Sequence, residues 1–248
     1  MTTRETTAIL ARADSDSPRR LWDVAAVACF ATFTWPWLLR SLDGGTGAEK
    51  ARLLERIDMP ADALPNLGSW KADTGLLHLI ADIIERERLR RVVEFGIGAT
   101  SLVIAASLRK WGGGEHLGFD QHRDFVVETK KWLGDHGLEA DLRHASLAES
   151  PNGWPGLWYD TGPIEPGIDL IVVDGPPWTV HPFTRGAAEH LFRLLSPGGM
   201  VLLDDAARPG ERLVARQWKQ LHPDMEFELR KDGSKGTLLG RKPTARDV

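Results

Sequence analysis

The stretch RVVEFGIGATSLVIAASL, residues 91–108, restricts the fold more than any other part of the chain. A short strand-forming run ends at an acid and an aromatic, two glycines follow in alternation, and an apolar segment at helical spacing begins. Gly96 and Gly98 let the backbone turn sharply and approach a ligand with no Cβ in the way. Thr100 or Ser101 can cap the helix that follows. A strand handed to a helix through such a loop belongs to an α/β architecture.

The same alternation continues along the chain. TGLLHLIADIIERERL sets Leu76, Leu77, Ile80, Ile83 and Ile84 on one helical face against a charged opposite face. After the strand RVVEF come a helix (TSLVIAASLRKW), a strand (EHLGFD), a helix closed by Gly137 (RDFVVETKKWLGDHG) and a strand (EADLRHA). Residues 151–167 read as a loop rich in Pro, Gly and Trp. IDLIVVDGPP is the most apolar strand, FTRGAAEHLFRLL a helix stopped by SPGG, MVLLDD a strand and ERLVARQWKQLH the last helix. MEFELRKDGSKGTLLGRK reads as a hairpin turning at Asp232-Gly233. The expected fold is a doubly wound, Rossmann-like α/β sheet, mostly parallel, with the C-terminal hairpin adding an antiparallel strand.

Residues 1–69 stand apart as an N-terminal extension, with the α/β domain expected over 70–248. The extension opens on a polar lead-in and holds LWDVAAVACFATFTWPWLLR, in which Val24 to Leu39 form 16 residues without a charge, flanked by Arg19, Arg20 and Arg40. A membrane-spanning helix wants about 20 apolar residues. The alternatives are a helix docked on the protein or burying a homodimer contact, a helix lying in a membrane interface with Trp35 and Trp37 at headgroup level, and a spanning helix. AEKARLLERI adds a short amphipathic helix. The single cysteine, Cys29, excludes an intrachain disulfide and a cysteine-based zinc site, and points to a cytoplasmic setting, membrane-associated if the apolar segment meets lipid. A net charge of −4 excludes a sequence-independent grip on nucleic acid.

Ligands of such sheets sit at the carboxyl ends of the strands, near the switch point. Those ends offer Glu94, Asp120, Ser146, Asp174 and the pair Asp204-Asp205. Each alone reads as a cap or turn residue. A dinucleotide fingerprint, and with it an NAD(P)-dependent oxidoreductase, needs a third glycine where Ser101 stands. Glu94 would also repel a pyrophosphate, whereas a cationic ligand suits it.

Taken together, EFGIGATS, GFD (118–120), HASLAE (144–149), IDLIVVDGPP (168–177) and LLSPGGMVLLDD (194–205) resemble the class I S-adenosylmethionine-dependent methyltransferases. The likeness is to the small-molecule O-methyltransferase-like branch that carries VVDGPP after the fourth strand. It covers roughly residues 70–241. The resemblance implies transfer of a methyl group from S-adenosyl-L-methionine to a small-molecule acceptor, most simply a hydroxyl oxygen; the alternative is a non-catalytic member that binds cofactor or a partner. It implies a cofactor site of Glu94, Gly96, Gly98, Thr100, Ser101, Asp120, Ser146, Leu147 and Asp174. In that site Glu94 faces the methionine end, the glycines form the floor, Asp120 accepts the ribose hydroxyls, and Ser146 with Leu147 lies beside the adenine.

In one group of such enzymes an acid after the fourth strand and an acid pair after the fifth bind a divalent metal, here Asp174, Asp204 and Asp205. An all-oxygen donor set suits Mg²⁺ or Ca²⁺. Asp174 thereby carries a catalytic role as well. The lysine base of the best-known members would stand at Pro177, so His181 is the expected catalytic base. Trp154, Trp158, Tyr159 and Trp178 are candidates for an acceptor pocket, and Arg185 either holds an acidic acceptor or decorates its helix.

Overall fold

A computed structural model describes residues 21–68 and 71–244. The polar lead-in of residues 1–20 and the junction expected at 69/70 lie outside the described residues. The chain orders as α1 (Leu21–Ser41), α2 (Gly47–Arg56), α3 (Thr74–Glu87), β1 (Arg91–Phe95), α4 (Ala99–Lys110), β2 (Glu115–Asp120), α5 (Arg123–Asp135) and β3 (Asp141–His144). It continues through β4 (Leu147–Glu149), β5 (Leu157–Tyr159), β6 (Ile168–Val173), β7 (Leu195–Leu203), α6 (Pro209–Leu221), β8 (Glu226–Arg230) and β9 (Thr237–Arg241). Seven strands make one sheet in the order β3-β2-β1-β6-β7-β9-β8. All neighbouring pairs from β3 to β7 are parallel, and β9 runs antiparallel to both β7 and β8. The strand order reverses between β1 and β6, which opens the crevice where ligands of such sheets bind.

Alternation in β1 explains the layering. Val92 joins one buried cluster, with Leu76, Leu77 and Ile80 of α3 and Leu102 and Ile104 of α4. Val93 and Phe95 join the other, with Trp158, Tyr159, Phe192 and Trp218. Both faces of the central strands are thus covered, which is why RVVEF and IDLIVV read as continuous apolar runs. Each fully buried large side chain contributes on the order of 1.5–3 kcal/mol.

Two segments differ from the sequence expectation. Residues Thr184–Leu194 form a run of 3-10 turns rather than an α-helix. Tertiary contacts dominate there: the carbonyl of Gly186 accepts from Trp218 Nε1 at 2.9 Å, and a Cβ on Gly186 would run into the Trp154 ring. The expected loop at 151–167 contains β5, which pairs antiparallel with β4 in a separate two-stranded ribbon. The C-terminal hairpin is present, its strands closing at Arg230 opposite Thr237 around a loop that includes Asp232 and Gly233.

Candidate active site

The turn after β1 is laced to the turn after β6. Asp174 and Gly175 both donate their N–H to the Phe95 carbonyl at 2.8 Å, and Gly96 donates to Phe119 O at 2.9 Å. Gly96 has φ +87°, and a Cβ there would run into the backbone of Gly175, so no larger residue fits. Behind this turn Ser101 Oγ accepts from the Gly98 N–H at 3.0 Å and donates to Glu94 Oε2 at 2.6 Å. The helix N-terminus is therefore capped by Ser101 from inside α4, with Thr100 buried beside it. His116 Nε2 reaches the same Glu94 oxygen at 2.9 Å. Glu94 is fully buried, yet its Oε1 has no hydrogen-bond partner among the described residues.

Asp120 ends β2 and is buried; its Oδ1 accepts the His122 N–H at 2.8 Å. Burial pushes its carboxyl up to about 6, opposed chiefly by that N–H bond. The Ala145 N–H donates to Asp120 O at 2.9 Å, which holds residues 145–147 beside the end of β2. Ser146 stays exposed there, whereas Leu147 is buried and paired in register with Tyr159.

Asp174, Asp204 and Asp205 come together as expected from the sequence, each offering an oxygen within 4.8 Å of the others. Three buried cations share the place. Arg185 Nη1 donates to Asp205 Oδ2 at 3.0 Å and to the Asp204 carbonyl at 3.2 Å; its Nε meets Pro176 O at 3.2 Å, and its Nη2 bonds the Asp174 carbonyl and lies 3.5 Å from Asp174 Oδ1. Arg208 Nη2 lies 2.7 Å from both Asp205 Oδ2 and Glu211 Oε1. Lys235 Nζ is 3.7 Å from Asp205 Oδ1 and 3.8 Å from Asp204 Oδ2. Burial raises Asp174, and raises Asp204 strongly with help from the Asp205 charge. Against the same burial, Arg208, Lys235 and Arg185 hold Asp205 well below the usual carboxylate range. Among the described residues, neither Asp204 carboxylate oxygen has a hydrogen-bond partner.

Lys235 and Arg208 had no signal in the sequence beyond being charged. The fold delivers Lys235 through Asp73, the N-cap of α3. Asp73 Oδ1 accepts the Leu76 N–H at 2.9 Å, while its Oδ2 accepts the Lys235 N–H at 3.1 Å and the Ser234 hydroxyl at 3.0 Å.

His181 is buried in the loop after β6 but is not gathered with the aspartates. Its Nδ1 accepts the Phe183 N–H at 3.1 Å, its ring packs against Phe183 at 5.2 Å between centroids, and the charge acting on it is Asp23 of α1. Of the aromatic candidates, Trp154 is anchored by its Nε1 to Glu189 Oε1 at 3.4 Å, and Trp178 is buried with an Nε1 that has no partner among the described residues. Tyr159 and Trp158 pack on Phe95, their centroids 5.7 and 5.0 Å from it.

A family model described as a methyltransferase domain matches residues 93–206, from within β1 to the residue after Asp204-Asp205. Among solved structures, an O-methyltransferase from Bacillus cereus in complex with S-adenosylhomocysteine is similar at a TM-score of 0.53 and 14% identity, over 86% of this chain and 99% of that one. A methyltransferase from Podospora anserina, also bound to S-adenosylhomocysteine, gives 0.54 and 14%, over 92% and 98%. One from Geobacter sulfurreducens gives 0.51 and 17%, over 79% and 87%. No curated protein matches the chain in sequence. The fold is the Rossmann-like methyltransferase fold.

Proposed function

We propose that this chain is an S-adenosylmethionine-dependent methyltransferase acting on a hydroxyl oxygen of a small-molecule acceptor. The observation that carries the reading is the pair of buried carboxylates flanking the Gly96–Gly98 turn at the switch point. Glu94 keeps one oxygen unpartnered, and Asp120 is buried at the end of the neighbouring strand. A cofactor with a cationic methionine end and a ribose diol meets both needs, and the donor set therefore fits it. Bound there, it would supply an activated methyl group on sulfur for transfer to the acceptor oxygen, and Asp174 would take the hydroxyl proton that the acceptor gives up.

The chain's own work is to bind, orient and exclude water. The Gly96 turn, laced to Asp174 and Gly175, forms the floor. Asp120 orients the ribose, with Ser146 and Leu147 beside the base. Asp174, the most exposed of the three clustered aspartates at 14% of its side chain, faces the acceptor. His181 does not suit the base role: its Nδ1 lone pair is spent on the Phe183 N–H, so the neutral ring carries its proton on Nε2.

The aspartate cluster fits a divalent ion poorly. Each carboxylate already faces a buried cation within 4 Å, and Asp205 is ion-paired with two arginines. A dication would have to enter beside three fixed positive charges. In this reading Arg185, Arg208 and Lys235 neutralise the cluster and the transfer needs no metal.

The outward side of α1 is proposed as a contact with a lipid surface. Leu21, Trp22, Val24, Phe33, Trp35 and Leu39 are exposed along it, and Arg212, Arg216 and Lys219 are exposed on α6, which α1 touches.

A thermal-shift series with S-adenosylhomocysteine, with and without Mg²⁺, tests the function. Saturation at about 100 times the dissociation constant should add about 2.7 kcal/mol of stability. No shift would remove the cofactor from the proposal.

A further inference from the structure

The chain holds a single tyrosine, Tyr159, at the end of β5. It is buried, and among the described residues its hydroxyl has no hydrogen-bond partner. Resting on the methyltransferase reading, we infer that the Tyr159 hydroxyl contacts the reactive, sulfonium end of the bound cofactor.

The ring is fixed by its neighbours. It packs on Phe95, at 5.7 Å between centroids, and edge-on against Trp158, at 5.3 Å. That arrangement directs Oη at Gly175, where an added Cβ would collide with it. The Gly175 N–H is bonded to Phe95 O, and a Cβ on Gly175 would also fall 3.0 Å from Gly96 Cα. The hydroxyl therefore lies where the β1 and β6 turns meet, at the switch point of the sheet.

A buried hydroxyl with no partner forfeits a hydrogen bond that water would have given it. In a site that awaits a ligand, that deficit is made up on binding. Burial pushes the Tyr159 phenol well up, and Asp120, Asp174 and Glu94 push it the same way while Arg185 opposes them. The phenol stays neutral; Arg185 is paired with Asp174, whereas Asp120 and Glu94 have no arginine or lysine partner among the described residues. Such surroundings suit a cation, and the phenol oxygen offers its lone pairs to one. The β4–β5 ribbon thus has a task beyond covering the sheet: it delivers one oxygen to the methyl-transfer point, from a segment that the cofactor motifs do not include.

The single tyrosine makes the test direct. Incorporation of 3-fluorotyrosine gives one ¹⁹F resonance for the whole chain, and S-adenosylmethionine at saturation should move it. Tyr159→Phe keeps the ring packing and removes only the hydroxyl. It should weaken S-adenosylmethionine about tenfold by calorimetry and S-adenosylhomocysteine, which lacks the positive charge, by clearly less. A resonance that stays still while thermal shift shows the cofactor bound, with affinities unchanged in Tyr159→Phe, would overturn the assignment and leave the methyltransferase reading intact. Equal weakening of both ligands would place the hydroxyl on a part they share and overturn the sulfonium contact. Absence of any binding by the unaltered chain would remove the methyltransferase reading itself, and this contact with it.

Discussion

Asp120 sets how the proposed cofactor site responds to pH. Its carboxyl is raised to about 6 by burial, above its ordinary value of 3.8. In that window the folded chain holds a proton that the unfolded chain releases. The carboxyl's contribution to stability is thus largest below the unfolded value and declines as pH rises through the folded one. In the proposed site cofactor binding would run the other way, because accepting two ribose hydroxyls needs the ionised form. Affinity for S-adenosylhomocysteine should be flat above neutrality and fall about tenfold by pH 5, one unit below that value. Asp120→Ala should weaken binding by about 1.5–3 kcal/mol, the scale of a lost charge-assisted hydrogen bond, and flatten the profile. Calorimetry between pH 5 and 8 on both proteins checks this; unchanged affinity in the folded variant would take Asp120 out of the site. His181→Ala, by contrast, should leave the pH profile of methyl transfer unshifted, because its basic nitrogen is engaged by Phe183. A loss concentrated near and below neutral pH would restore it as the base.

Among the elements, the loop between β8 and β9 does more than close a hairpin. Asp73 caps α3 and at the same time holds Ser234 and Lys235, and Lys235 faces the aspartate cluster. Asp73→Ala should cost about 2 kcal/mol by denaturant unfolding, a lost N-cap plus the loop contacts. The same contacts make the cluster metal-independent in the proposed reading. Methyl transfer should therefore persist in a chelator, and Mg²⁺ should leave the melting temperature unchanged; abolition by chelation would return the cluster to metal binding.

This part of the site was hidden in the sequence for a physical reason. Asp174, Asp204 and Asp205 follow apolar strands whose ends are legible, but Lys235 and Arg208 reach them from a loop and a helix start that carry no periodicity. The three-residue strands of the β4–β5 ribbon are likewise too short to show alternation. The expected helix at 183–195 failed because Gly186 gives its carbonyl to Trp218. Long elements fared better: β1, β2 and α3 to α6 follow the hydrophobic pattern, since each buries a continuous stripe or both faces.

At the scale of the whole molecule, α1 is attached to the α/β domain without being part of its core. Only Thr34 and Ser41 of the helix are buried, and its aromatic anchor is Phe30 edge-on against Phe183 at 5.2 Å. Leu21 and Trp22 are 87% and 85% exposed, more surface than a helix docked for stability would leave. Removing residues 1–41 should therefore leave a folded domain that binds S-adenosylhomocysteine, with improved solubility and a melting temperature close to that of the intact chain. The intact chain should co-sediment with vesicles containing anionic lipid, and the shortened one should not. Salt should weaken that association, because Arg40 and the basic residues of α6 act through screened charge. Aggregation of the shortened chain, or a dimer lost on shortening and seen by size-exclusion chromatography, would instead assign the outward face of α1 to protein.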